Sequence, residues 1–293
     1  MNFNERIAEY GKNIEEALEN AINIPSLAQK EIFEAMSYSL NGGGKRIRPM
    51  LLLEFARVSG ANNEAEIMPF ACAIEMVHTY SLIHDDLPCM DDDELRRGRA
   101  TNHIVFGEAI AVLAGDGLLN YAYEFMIKNS CFSADVTLTA VKALADAAGV
   151  YGMLGGQVID MDGEGRALDA TEITNLHRLK TGALIRAACE IGCILGGGDA
   201  IKRRAACEYA DKIGLAFQMK DDILNVEGDP QKLGKSTGGD VQSGKSTFAS
   251  LKGLDACKKE IMRLTDDAIH ALGAFDDSEF LEKFASHLAL REY

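Results

Sequence analysis

Apolar residues recur at steps of three and four through nearly every long segment of this chain, a rhythm that commits it to helices. Over residues 65–86, Ile67, Phe70, Ala71, Ile74, Val77, His78, Ser81, Leu82 and Asp85 gather on one helical stripe that ends in carboxylates. Similar runs cover 6–22, 28–40, 49–58, 107–127, 172–195, 201–226, 256–272 and 279–290. Five prolines and no tryptophan occur in 293 residues, and neither an alternating strand pattern nor an internal repeat stands out. Glycine clusters at 42–44, 155–156, 196–198 and 238–239 punctuate the runs but are too short to link domains. The expectation is an all-α fold: one large helical bundle around a central apolar cavity, with residues 1–293 forming a single domain.

Charge narrows the function. The formal net charge is −15, which argues against nucleic-acid binding, since that draws its affinity from cations on phosphate. Seven cysteines, an odd number with no CxxC pair, read as small buried hydrophobes in a reducing compartment, so a cytoplasmic location is expected. The opening residues carry acids and no continuous apolar core, so neither a signal peptide nor a membrane anchor is expected there.

The densest chemical signal runs from His84 to Arg99, HDDLPCMDDDELRRGR. Carboxylates at a helix C-terminus oppose the macrodipole and repel one another, so cations should arrive to neutralise them. A calcium loop does not fit: counted from Asp85, the sixth position is Met90 and the twelfth Arg96, where an EF-hand needs glycine and glutamate. A second cluster holds Gln218, Asp221, Asp222 and Asn225 at i, i+3, i+4 and i+7, which places their oxygens on one helical face. Two such helices suggest facing walls of a deep cavity with hard oxygen ligands at its mouth. Oxygen ligands that are few per ion point to Mg²⁺ completed by substrate phosphates, and hence to a diphosphate substrate.

These residues resemble the trans-isoprenyl diphosphate synthases, the bacterial-type farnesyl diphosphate synthases most closely. Asp85-Asp86-x4-Asp91 followed by Arg96-Arg97-Gly98 looks like the first aspartate-rich motif of that family, and Asp221-Asp222 looks like the second, with Asn225 where the family has a third aspartate. The resemblance runs from Gly43 to about Leu251. It implies the isoprenoid-synthase type of helical bundle and a homodimer. It also implies Mg²⁺, several ions bound with the diphosphate, on Asp85, Asp86, Asp91, Asp221 and Asp222.

The glycine-rich stretch Gly43-Gly44-Lys45-Arg46-Ile47-Arg48-Pro49 can bring backbone N–H groups and cations to a phosphate. By resemblance Gly44, Lys45 and Arg48, with His78 and Arg97, hold isopentenyl diphosphate. Arg96, Lys180 and Lys235 meet the allylic diphosphate, while Thr181 and Gln218 turn dipolar oxygens toward the allylic cation. A competing motif, Gly239 to Ser246, satisfies GxxxxGK[ST], but no buried strand precedes it and the nucleotide reading is set aside. By resemblance, Lys245 is expected to approach the diphosphate from the edge, since the family often has a lysine near this point.

The implied reaction joins isopentenyl diphosphate to dimethylallyl or geranyl diphosphate through a cation formed when the allylic C1–O bond breaks. No protein nucleophile is needed, which suits the absence of a Ser/His/Asp or Cys/His arrangement. Tyr80, five residues before Asp85, and the small Ser81 beside it are the expected chain-length residues, and an aromatic there resembles the makers of farnesyl diphosphate. A geranylgeranyl diphosphate synthase is the first alternative. A terpene cyclase would have no use for a second diphosphate site, and a non-catalytic prenyl synthase subunit would be expected to lose its metal aspartates.

Overall fold

The computed structural model describes residues 2–24, 26–163, 165–227 and 246–291. The described residues are helical almost throughout: α1 (Phe3–Ala21), α2 (Lys30–Leu40), α3 (Ile47–Ser59), α4 (Glu64–Asp85), α5 (Asn102–Phe106), α6 (Glu108–Asn129), α7 (Ala134–Ala148), α8 (Met153–Asp162), α9 (Ala170–His177), α10 (Ala183–Leu195) and α11 (Ala200–Glu227). Three more follow, Phe248–Lys252, Leu254–Ala271 and Glu279–Leu290. The all-α expectation holds. The only sheet among the described residues is one antiparallel pair, β1 (Leu95–Arg96) and β2 (Arg99–Ala100).

One predicted run reads differently in the structure, and two of the longer helices were not predicted. Residues 172–195 form α9, a π-helical turn at Arg178–Gly182 and then α10, not one helix. The sequence pattern missed α7 and α8. Two glycines weaken the local preference of α8, which packing against the π-turn overrides.

The chain divides into two compact units. The first holds residues 1–53 and 62–141, with α4 packed on α6 and flanked by α1 and α2. Asn63 caps α4 by accepting from the Ala65 N–H, and most α4 side chains from Ile67 onward are buried, as befits a helix apolar on every side. Arg46 anchors the loop before α3: it is buried, donates to Glu15, to Glu75 Oε1 at 2.7 Å and to the Leu40 carbonyl at 2.8 Å. A buried guanidinium that satisfies two carboxylates and a carbonyl costs less than a bare one and fixes the loop.

The second unit holds residues 54–61 and 142–293. Here α11 packs on α10 and on Leu254–Ala271. Ile173, Leu176, Met219, Ile223, Phe248 and Ile261 form one of its buried clusters. Phe55 meets Tyr209 and Phe275 edge to face, and the Tyr209 hydroxyl donates to the Leu281 carbonyl at 2.8 Å.

Candidate active site

In the first unit, α4 delivers Asp85 at its last turn and Asp86 just beyond it. The loop then folds back, the Asp91 N–H donating to the Asp85 carbonyl at 2.8 Å. Residues six apart in sequence are thereby tied together at the helix end. Asp86 is buried and accepts from Arg96 Nε at 2.6 Å and from Arg96 Nη2 at 2.5 Å, and the same Nη2 lies 3.5 Å from Asp93 Oδ2. Burial raises the Asp86 carboxyl above its usual range, although Arg96 pulls the other way. Asp86 is thus engaged in holding Arg96, while Asp91 is exposed.

Arg97 and Gly98 are the central residues of the β1–β2 hairpin, with φ of 54° and 75°. Two positive values match the two-residue turn that suits the twist of paired strands. This geometry sends Arg97 against Gly44, where φ is 140° and a Cβ would stand 2.6 Å from an Arg97 nitrogen. Only glycine leaves that approach open.

Arg48 and Arg97 make no ion pair among the described residues, in a chain with 45 acids against 30 Lys and Arg. The buried Arg48 Nε has no hydrogen-bond partner. Burial lowers both guanidinium pKa values, and burial together with Arg48, Arg97, Arg96 and Arg46 holds His78 well below the ordinary histidine range. His78 is therefore neutral at pH 7, able to donate one hydrogen bond while the arginines carry the charge. A buried guanidinium nitrogen left bare, as at Arg48 Nε, is costly unless an anion arrives.

On the same helix Tyr80 is buried edge to face with His84, ring centroids 5.8 Å apart, and its hydroxyl has no hydrogen-bond partner. Burial pushes the Tyr80 phenol up to about 12, aided by Tyr123 and Asp85. Ser81 Oγ donates to the His78 carbonyl at 2.8 Å.

In the second unit the π-turn presents Lys180 and Thr181. Extra backbone width of this kind recurs at functional sites because it turns side chains out of the helical register. Lys180 Nζ lies 2.5 Å from Asp160 Oδ2 on α8. Gly156, one turn earlier, has no side chain because a Cβ would fall 2.2 Å from the Lys180 nitrogen. Asp160 was not singled out by the sequence, since a lone aspartate twenty residues away carries no local sign of the pairing.

The shared face expected of Gln218, Asp221, Asp222 and Asn225 is corrected by one residue. Gln218, Asp221 and Asn225 are half-buried on α11, but Asp222 is turned inward, 6% exposed, its Oδ2 accepting from the Phe248 N–H at 2.8 Å. It satisfies the first N–H of the helix Phe248–Lys252, whose N-cap is Thr247, and it points away from Asp221 because one step along a helix rotates a side chain by about 100°. Asp221 pairs with Arg291 at 2.6 Å, and that guanidinium lies 3.7 Å over the Phe217 ring. Arg291 was also missed by the sequence reading. Lys235 and Lys245, with residues 239–245 of the rejected nucleotide motif, lie outside the described residues.

Among the described residues no three His, Cys, Asp or Glu side chains form a ready metal cage. What exists is carboxylates at helix ends and turns, hard oxygen donors of the kind Mg²⁺ uses when substrate oxygens and waters complete its shell. A helical chain with such carboxylates and with arginines that lack a carboxylate partner among the described residues falls in the class of enzymes that act on diphosphates. The chain belongs to the polyprenyl synthetase family, whose model matches residues 29–283. It is 50% identical over 230 residues to a farnesyl diphosphate synthase of Geobacillus stearothermophilus, covering 78% of this chain and 77% of that protein. It is 41% identical to the farnesyl diphosphate synthase of Escherichia coli (strain K12), covering 99% of each. A solved FPP/GFPP synthase of Zymomonas mobilis superposes with a TM-score of 0.88 at 35% identity, covering 98% of this chain and 99% of that one.

Proposed function

We propose that the chain is a short-chain trans-prenyltransferase that condenses isopentenyl diphosphate with dimethylallyl and then geranyl diphosphate to give farnesyl diphosphate. The observation that carries the reading is the pair of partnerless guanidiniums, Arg48 and Arg97, beside a neutral His78 in a strongly acidic chain. They call for a second anionic substrate, which a cyclase working on one diphosphate does not supply. The relatives named as farnesyl diphosphate synthases support the same assignment.

Mg²⁺, when bound with the allylic diphosphate, supplies the positive charge that lets the C1–O bond break. Asp85, Asp91 and Asp221 are the residues we assign to hold it, with Asp86 and Asp222 holding Arg96 and the Phe248 backbone in place. Lys180 is brought to the leaving diphosphate from its resting pair with Asp160, and Lys235 and Arg96 add charge there. Gly44, Lys45, Arg48, His78 and Arg97 bind isopentenyl diphosphate, whose double bond attacks the allylic cation. Its proton passes to the released diphosphate, and Thr181 and Gln218 stabilise the cation by their dipoles.

The family model runs through both compact units, which supports treating residues 1–293 as one catalytic domain. A second copy of the chain is the proposed partner, through exposed Ile104, Val105, Val112 and Leu113 on α5 and α6. Seven unpaired cysteines, five of them buried, suit a reducing cytoplasm, and no described helix is long and apolar enough to cross a membrane.

The deciding experiment incubates the enzyme with labelled isopentenyl diphosphate and each allylic primer and separates the dephosphorylated alcohols. Fifteen-carbon product that requires Mg²⁺ is expected. Asp85→Ala and Asp221→Ala should each lower kcat by at least roughly 10²-fold while far-UV circular dichroism is unchanged. Full turnover in EDTA, or in the Asp85 variant, would refute the mechanism.

A further inference from the structure

Tyr80 is 3% exposed and its hydroxyl has no hydrogen-bond partner, so no polar contact of that hydroxyl fixes the ring across the path of a growing tail. Such a ring keeps its place only while the side chains packed on it keep theirs. One of these is His84, a turn further along α4, whose ring meets Tyr80 edge to face at an interplanar angle of 83°.

His84, unlike Tyr80, is anchored. Its Nε2 lies 3.1 Å from the Val112 carbonyl on α6, and because a carbonyl only accepts, that nitrogen carries the proton. Asp116 Oδ1 is 4.0 Å from the same nitrogen, too far to take the bond. One step along the helix turns His84 about 100° from Asp85 and onto α6.

The anchor depends on residue 115. A Cβ on Gly115 would stand 2.1 Å from His84 Nε2 and 2.4 Å from its Cδ2, so any side chain there expels the imidazole from its slot. Gly115 is buried inside α6, and its φ is not positive. Glycine weakens a helix at such a position and its backbone freedom is not used. What it supplies in return is the slot.

We propose, on the prenyltransferase reading above, that His84 and Gly115 are positioning residues that set product length through Tyr80. The glycine admits the imidazole, the Val112 carbonyl fixes it, and the imidazole holds the Tyr80 ring where the tail of a fifteen-carbon product ends. Neither residue has to touch the substrate.

The test separates the dephosphorylated alcohols made from labelled isopentenyl diphosphate and geranyl diphosphate by the wild type and its variants. His84→Ala and Gly115→Ala should each raise the ratio of twenty- to fifteen-carbon product at least about tenfold, because the Tyr80 ring is then free to turn aside. His84→Gln should return most of the fifteen-carbon preference, since its amide can donate to the Val112 carbonyl. His84 is half-buried at the end of α4, so its truncation leaves the core intact and far-UV circular dichroism unchanged. In a Tyr80→Ala background, His84→Ala should alter the ratio less than about twofold, because the ring it acts through is gone. Unaltered product length in either single variant, no rescue by glutamine, or a full further shift on top of Tyr80→Ala would overturn the inference while the wild type still makes fifteen carbons. A wild type that yields no prenyl product would overturn the prenyltransferase reading and this inference with it.

Discussion

At the scale of single residues, the side chains that matter most are those whose polar atoms the fold leaves unmatched or titrates out of their normal range. Tyr80 is one, buried among carbon with a bare hydroxyl. Five residues span about 7.5 Å of helix axis, so a tail anchored near Asp85 and running beside α4 ends against this ring. Tyr80→Ala should open that floor and move the main product from fifteen carbons toward twenty, with turnover within about threefold; chromatography that still shows only fifteen carbons would place the floor elsewhere. His177 is another. Burial lowers it from 6.5 to about 4, and its ring packs on Phe248 at 5.4 Å. Between those values the unfolded chain binds a proton that the folded chain refuses, so stability is full above 6.5 and falls as pH drops toward 4. The slope is up to about 1.4 kcal/mol per pH unit from this group. Denaturant melts of His177→Phe across that window should be flatter by that amount. The aspartate clusters stood out in the sequence because their spacing is local, whereas His78, Arg48, Arg96 and Arg97 were singled out only through the family resemblance. Asp160 and Arg291 were missed, because each acts through a partner that only the folded chain brings near, Lys180 and Asp221.

Elements were legible where apolar spacing alone decides them. The run at 279–290 is the helix Glu279–Leu290, and 201–226 is α11 to within a residue at each end. The pattern could not see the π-turn, since one widened turn leaves the rhythm of 172–195 nearly unchanged. Nor could it see the hairpin, whose strands have two residues each, although Arg97-Gly98 carries the chemistry of a tight turn. That hairpin and the glycine loop before α3 work as a pair. Gly44→Ala adds a methyl group where Arg97 stands and strains a backbone at φ 140°. The Michaelis constant for isopentenyl diphosphate should rise roughly tenfold or more with that for geranyl diphosphate little changed. Equal rises for both substrates in steady-state assays would mean that the loop serves the fold as a whole and not this one anion.

For the whole molecule, charge and exposed carbon set the behaviour in solution. A net charge of −15 opposes casual association, so a dimer must rest on burying apolar surface. Sedimentation equilibrium should report twice 31.7 kDa, and Val112→Glu with Leu113→Glu should return the single mass, because like charges would then face each other across the two-fold contact. A wild-type chain that sediments as one copy at micromolar concentration would refute the dimer. The touch between Gly44 and Arg97 reaches beyond any one molecule. Two positions some fifty residues apart share one small volume, so a side chain at residue 44 makes the Arg97 guanidinium move from where it now rests. A lineage that enlarges residue 44 changes the setting of residue 97 as well, and the two sites should be inherited together like linked traits.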